Sequence, residues 1–264
     1  MSHPTLSGKH ALITGSTSGI GLGIARALSM QGCSITLNGF GEPDSIKMLC
    51  QEMLKCGAPE VRYSNADMRK PHEIEAMIKQ TAEHFGGTDI LINNAGVQHV
   101  CPIENFPTEK WDDILAINLS SSFHTIKAAL PYMQKANWGR VINVASAHSL
   151  VASPFKAAYV AAKHGLAGLT KTVALEVAEK SITVNAVAPG YVETPLVTGQ
   201  ISDTAQVKGM TEEQVVHDVM LLAQPTRKLI TVEQVAGLVV YLCSEQASAI
   251  TGSILPIDGG WTAK

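Results

Sequence analysis

Short apolar runs of strand length alternate with helical patterns along almost the whole chain, and this rhythm limits the fold more than any other feature. The strand-like runs lie at residues 10–14, 34–38, 61–66, 90–93, 140–144, 183–187 and 253–257. Apolar residues recur at helical spacing in 20–30, through Ile46, Leu49, Met53 and Leu54, and in 111–133, 157–178 and 232–242. Strands separated by helices pair in parallel, because the helix carries the chain back across the sheet. The expected fold class is therefore α/β, a doubly wound parallel sheet in a single domain spanning 1–264. One interval breaks the rhythm. From 191 to 229 there is no strand signal, only short amphipathic patches such as 212–222, and an insertion of that length between a strand and a helix predicts a lid.

Composition narrows the function classes. The formal net charge is −3 and no basic stripe appears, which argues against a nucleic-acid partner. The segment MSHPTLSGKHALITG lacks the charged-then-apolar pattern of a secretion signal. The apolar run 235–243 is too short to span a bilayer and is interrupted by Gly237. The five cysteines show neither CxxC pairing nor metal-ligand spacing, as expected of free thiols in a reducing compartment. A cytoplasmic protein with no membrane partner and no metal site is the expectation.

The first strand runs into Thr14-Gly15-Ser16-Thr17-Ser18-Gly19-Ile20-Gly21. A glycine-rich turn between strand and helix presents backbone N–H groups and a helix N-terminus to a pyrophosphate. Gly15 permits the turn, Gly19 lets backbone approach the phosphates, and Gly21 allows the helix to pack on the strand. The spacing is G-x-x-x-G-x-G, different from the G-x-G-x-x-G dinucleotide fingerprint. Three further strand ends join it: Asp67, suited to accept from an adenine amino group; Asn94, Ala95 and Gly96, which leave room for a ribose; and Pro189-Gly190 with Val192 and Thr194, suited to a carboxamide. Ligands of open α/β sheets bind at the carboxyl ends of strands, so these residues predict a dinucleotide site. The second strand ends at Asn38, Gly39 and Phe40, with neither an acid for a ribose diol nor an arginine for a 2′-phosphate. No Lys or Arg stands in that turn or in the glycine loop, which favours NAD over NADP.

Tyr159 and Lys163 stand four apart on a predicted helix and share a face. A phenol titrates near 10, too high for a base at neutral pH. A cation within ~4 Å at an effective dielectric of ~20 is worth roughly 4 kcal/mol, enough to lower that value by two to three units. Ser146, at the end of the preceding strand, can hold a substrate oxygen while Tyr159 takes its proton.

TGSTSGIG, NNAG, Asn118, Ser146, Tyr159-x-x-x-Lys163 and PG, in that order, resemble the short-chain dehydrogenase/reductase family over essentially the whole chain. The resemblance implies a Rossmann-type domain, usually a homotetramer, moving hydride between a nicotinamide and a carbonyl or alcohol carbon. It also implies that Asn118 holds a water in a proton relay beside Lys163.

His148, Lys156 and Gln98 stand at strand ends or a helix start around the same crevice. Donors clustered beside a small substrate call for an anion, most simply a carboxylate, held by charge-assisted hydrogen bonds of roughly 1.5–3 kcal/mol each. Within the family this set resembles members acting on a small hydroxy or keto acid. That resemblance adds Gln200 from the lid, with Gln206 as a weaker substitute, and Trp261 as an aromatic wall of the kind a neighbouring subunit contributes. Tyr191 stands where tryptophan is expected in such relatives, which bears on how a methyl group packs. Two other activities of the family stay open at this point: an NADPH-dependent 3-oxoacyl-thioester reductase and a sugar or polyol dehydrogenase.

Overall fold

The alternation of side chains along each strand sorts the apolar runs onto two faces of one sheet. The structure, a computed structural model, describes residues 6–263. Strands β1 (His10–Ile13), β2 (Ser34–Asn38), β3 (Val61–Ser64), β4 (Ile90–Asn93), β5 (Gly139–Val144), β6 (Ile182–Pro189) and β7 (Ile254–Ile257) pair in the order β3-β2-β1-β4-β5-β6-β7. All six pairings are parallel. Ala11, Ile13, Ile90 and Ile92 point to one face, where they meet α1 (Gly19–Met30), α2 (Pro43–Lys55) and α10 (Val232–Cys243). Leu12, Leu91 and Val141 point to the other and meet α3 (Pro71–Phe85), α5 (Ser121–Ala136) and α6 (Ala157–Glu176). Both faces are covered, as a doubly wound sheet requires. The chain leaves β1 toward β2 on one side and returns to β4 on the other, so the carboxyl ends of β1 and β4 flank the switch point where ligands bind.

Some elements differ from expectation for identifiable reasons. The run 61–66 stays in the sheet only to Ser64, because Asn38 Nδ2 takes the carbonyls of Ser64 (3.2 Å) and Ala66 (3.0 Å). Asp67 thus lies beyond the strand rather than at its end. The helical stretch 111–133 resolves into α4 (Thr108–Leu115), a π-helical turn over Ala116–Ser120 and α5.

The interval expected to form a lid is helical: α7 (Pro195–Lys208), α8 (Glu212–Gln214), a second π-helical turn (Val215–Met220) and α9 (Leu221–Ala223). Its two ends meet in a parallel bridge between Val192 and Ile230. Tyr191, Ala205, Val215 and Met220 give it a small core of its own, with Trp261 packed against it. Among the described residues no helix is long and apolar enough to cross a membrane.

The base of this insertion rests on a buried amide. Gln224 accepts the N–H of Tyr191 at 2.5 Å and donates to Lys228 O at 2.6 Å. A Cβ at Gly190 would lie 2.1 Å from Gln224 Oε1 and 3.0 Å from Asp258 Cα. Gly190→Ala is expected to displace that amide and cost about 1–3 kcal/mol in urea unfolding, as overpacked sites do.

At the amino end of β1 His10 is buried, stacks on Phe85 with centroids 4.1 Å apart, and shares a 2.9 Å hydrogen bond with Thr36 Oγ1. Burial drives its pKa from the ordinary 6.5 down to about 3. The unfolded chain therefore takes up a proton near pH 6.5 that the folded chain refuses until about pH 3, and stability falls as pH drops through that window. Thermal melts between pH 7 and 5 are expected to show a falling Tm, with a shallower fall in His10→Gln.

Candidate active site

The site is built on the stitching of three strand ends. Thr14 Oγ1 accepts the N–H groups of Asn94 (2.9 Å) and Ala95 (3.0 Å), while Asn94 Nδ2 donates to Thr14 O (2.9 Å) and Gly15 O (2.8 Å). The Gly15 N–H reaches Asn38 Oδ1 at 3.2 Å and so ties in β2. Gly15 has φ +60°, and a Cβ there would lie 2.8 Å from Ala95 Cα, so both conformation and space require glycine. Helix α1 begins with no side-chain cap and no acid in its first turn, leaving its N–H groups open to an anion.

A cavity of about 370 Å³ opens at this edge. Of the residues expected to hold a dinucleotide, all but Gly190 line it: Gly15, Thr17, Ser18, Gly19, Ile20, Phe40, Asp67, Asn94, Ala95, Gly96, Tyr159, Lys163, Pro189, Val192 and Thr194. Gly190 instead makes way for the Gln224 amide. Thr194 also caps α7, accepting from Val197 N–H, so this end of the cavity and the start of the insertion share a residue. The open helix end and the glycine cradle fit a pyrophosphate. Arg69 lines the same end, a residue the sequence reading passed over. It forks onto both Asp67 carboxylate oxygens (2.7–3.1 Å) and reaches Asp113 at 3.7 Å. The pair holds the Asp67 carboxyl below its ordinary range.

Ser146 stands just past the carboxyl end of β5 and hydrogen-bonds Tyr159 from α6. Lys163, one turn further along α6, donates from Nζ to Val144 O at 2.8 Å and lies 5.6 Å from the Tyr159 ring centroid. The expectation that Lys163 depresses the phenol is not met in this state. Burial pushes Tyr159 up, only Ser146 opposing it, and pushes Lys163 down to about 8. Desolvation therefore outweighs the attraction across this distance. Asn118 is buried beside this set. It does not line the cavity: Nδ2 donates to Val97 O and Oδ1 accepts from Val97 N–H, each at 2.9 Å. Its side chain is a clip for the strand-end loop.

Gln98, Ser146, His148, Lys156, Gln200 and Trp261 all line the same cavity, as does Tyr191. Lys156 follows Phe155, whose φ of +68° is rare for a residue with a bulky side chain, and Cys101 N–H pins that kink through Phe155 O at 2.9 Å. Lys156 Nζ is buried and donates to Gln200 Oε1 at 3.1 Å, and burial lowers its pKa to about 8. Gln200 Nε2 donates to Leu196 O at 3.0 Å, so both ends of that amide are engaged. His148 places Nδ1 3.4 Å from Ser146 Oγ and Nε2 2.9 Å from Ser153 Oγ. All four side chains expected to grip an anion thus meet at one cavity, and Lys156 and Gln200 are already joined there. Trp261 comes from the chain's own C-terminal turn, where Asp258 accepts from Gly260 N–H, Thr262 N–H and the Thr262 hydroxyl. It stacks on Tyr191 at 5.2 Å and meets His148 edge-on at 5.0 Å. Ser153, Gln224 and Asp258 carry no motif signal; the spacing of DGG before Trp261 was the nearest hint.

Known proteins share this arrangement. Residues 15–262 match the family profile described as enoyl-(acyl carrier protein) reductase. The chain is 61% identical over 256 residues to a D-beta-hydroxybutyrate dehydrogenase of Rhizobium meliloti strain 1021, covering 97% of this chain and 99% of the relative. It is 52% identical over 260 residues to a D-beta-hydroxybutyrate dehydrogenase of Cupriavidus necator, covering 98% and 100%. A crystal structure of an actinorhodin polyketide ketoreductase with NADPH superposes with a TM-score of 0.91 at 33% identity over all of both chains. Sequence motifs, sheet order and relatives agree, and the chain belongs to the short-chain dehydrogenase/reductase family.

Proposed function

We propose that this protein is an NAD-dependent dehydrogenase that converts (R)-3-hydroxybutyrate to acetoacetate reversibly. The observation that carries the reading is Lys156: a buried ammonium beside the reacting groups whose hydrogen-bond partner is a neutral amide. An uncompensated buried cation calls for an anion, and a carboxylate one carbon removed from the reacting alcohol supplies it. The names of the relatives support the same substrate. NAD, when bound, accepts the hydride. Its phosphates fit the open N-terminus of α1 and the glycine turn, and the adenine end fits beside Asp67 and Phe40. Arg69, engaged by Asp67 and Asp113, is not offered to a 2′-phosphate, which favours NAD.

In the chemical step Ser146 orients the substrate oxygen and Tyr159 takes its proton. Burial makes the Tyr159 phenolate a strong base and makes it hard to form; hydrogen bonding from Ser146 offsets part of that cost. Lys156, Gln98, His148 and Gln200, which line the cavity together, hold the carboxylate. Helix α7 bears on this grip through Gln200, and closure of the insertion excludes water and strengthens each charged contact. A homotetramer is part of this reading, supported by the family resemblance and by exposed Phe123 and Leu175 on the outer helices.

Steady-state assays with NAD are expected to show turnover of (R)-3-hydroxybutyrate and at least about tenfold lower kcat/KM for its methyl ester, since a charge-assisted contact is worth that much. An ester that works as well as the acid removes the carboxylate grip and the function with it. The protonated Lys156 is the binding form and prevails below about pH 8. The KM for hydroxybutyrate is therefore expected to climb toward about tenfold per unit above pH 8. Lys156→Met should raise KM at pH 7 and abolish that climb.

A further inference from the structure

Arg69 lines the cofactor end of the cavity without a part in the chemistry described above, yet it grips a carboxylate that has one. Its side chain is half-exposed, whereas Asp67 is buried. We propose that Arg69 is a positioning residue for the adenine. Its fork on Asp67 fixes the carboxylate so that one acceptor position is left for the adenine amino group. The site thereby selects adenine over hypoxanthine, which carries a carbonyl oxygen in place of that amino group. This rests on the reading of Asp67 as the adenine end of a dinucleotide site.

The backbone around Asp67 is already tied down, so the torsion of its side chain is what remains to be set. Ala66 O accepts from Asn38 Nδ2 at 3.0 Å, the Asp67 N–H donates to Glu73 Oε2 at 2.8 Å, and Asp67 O accepts the Lys70 N–H at 2.9 Å. Three N–H groups of Arg69 then take the carboxylate. The backbone N–H donates to Oδ1 (2.9 Å), Nε is shared between Oδ1 (3.0 Å) and Oδ2 (3.1 Å), and Nη2 donates to Oδ2 (2.7 Å). A carboxylate has about four acceptor positions, so about one is left for a ligand. The backbone N–H alone would hold one oxygen and leave the other free to turn; the planar fork holds both. Lysine, a point charge on a flexible stem, cannot do so. Asp113 on α4 meets Nη1 at 3.7 Å and braces the guanidinium from a second element. A half-exposed ion pair adds little to folding, so the worth of this one lies in its geometry. The fork also holds the Asp67 carboxyl below its ordinary range and so keeps it ionised. An ionised carboxylate only accepts: it gains from the amino group of adenine and repels the carbonyl oxygen of hypoxanthine.

The rival role for Arg69 is a direct contact between its side chain and the purine, which would strengthen both nucleotides alike. The probes are NADH and its hypoxanthine analogue, each titrated into the substrate-free protein with tryptophan fluorescence reporting the Kd. One hydrogen bond to a charged group is worth about tenfold, so the wild type is expected to bind NADH about tenfold more tightly than the analogue. In Arg69→Ala that ratio should fall at least about threefold, and Arg69→Lys, which keeps the charge without the fork, should not restore it. A wild type that binds both nucleotides alike, a smaller fall in Arg69→Ala, equal weakening of the two nucleotides, or a lysine variant with the wild-type ratio overturns the proposal. Asp67→Asn separates this from the reading beneath it. The amide can accept or donate, so that variant should bind the two nucleotides about equally. A wild-type ratio retained in Asp67→Asn removes Asp67 from the adenine site and the proposal with it. A ratio lost in Asp67→Asn but kept in Arg69→Ala overturns the role of Arg69 alone.

Discussion

The hydrogen bonds that join Thr14 and Gly15 to Asn94 and Ala95 are the constraint on which the rest of the site depends. At the switch point of a doubly wound sheet the chain departs from β1 and β4 in opposite directions, and nothing in the ladder itself holds those ends in register beyond the last strand pair. The Thr14 hydroxyl and the Asn94 amide do so. Because Gly15 then sits against Ala95, the start of α1 is drawn onto the turn: a Cβ on Gly21 would lie 2.4 Å from Asn94 Nδ2 and from Gly15 O. The open helix end therefore points at a fixed place in the crevice. Val97 and Gln98 follow directly on the same turn, and the Asn118 clip holds them there.

Around that frame Lys156, Lys163 and His148 are buried, and burial sets the chemistry of the site. Burial moves Lys156 and Lys163 down to about 8, His148 to about 3, and Tyr159 up. Each shift favours the uncharged form, so the resting site is a set of groups poised to gain from an incoming charge. An anionic substrate and a cationic, oxidised nicotinamide each supply what one part of the set lacks. The base strength of Tyr159 is thus a property of the loaded site more than of the Tyr159–Lys163 pair alone.

Much of this was legible in the sequence. The strand runs, the glycine turn, Ser146 with Tyr159 and Lys163, and the insertion after Pro189 each announce themselves by local spacing. Gln200, Asn118 and Gly190 stand out in the sequence, but spacing reports which residues converge and not which hydrogen bonds or close contacts they make. Gln200 is engaged at both ends, Asn118 is engaged by Val97, and Gly190 yields space to Gln224. Arg69 reaches this end of the cavity from the segment after β3, away from the second-strand turn and the glycine loop.

What the sequence determined by itself was the parallel sheet, the place of the ligand crevice and the type of reaction, since these follow from periodicity and from residues only a few positions apart. Only the tertiary structure decided which donors remain free for the substrate, that the Trp261 wall comes from the same chain, and that Arg69 braces Asp67 against Asp113. The physical reason is that hydrogen-bond capacity is shared among neighbours in space. Whether a side chain has a donor left to offer depends on partners such as Leu196, Val97 and Gln224, and these are set by packing rather than by any motif.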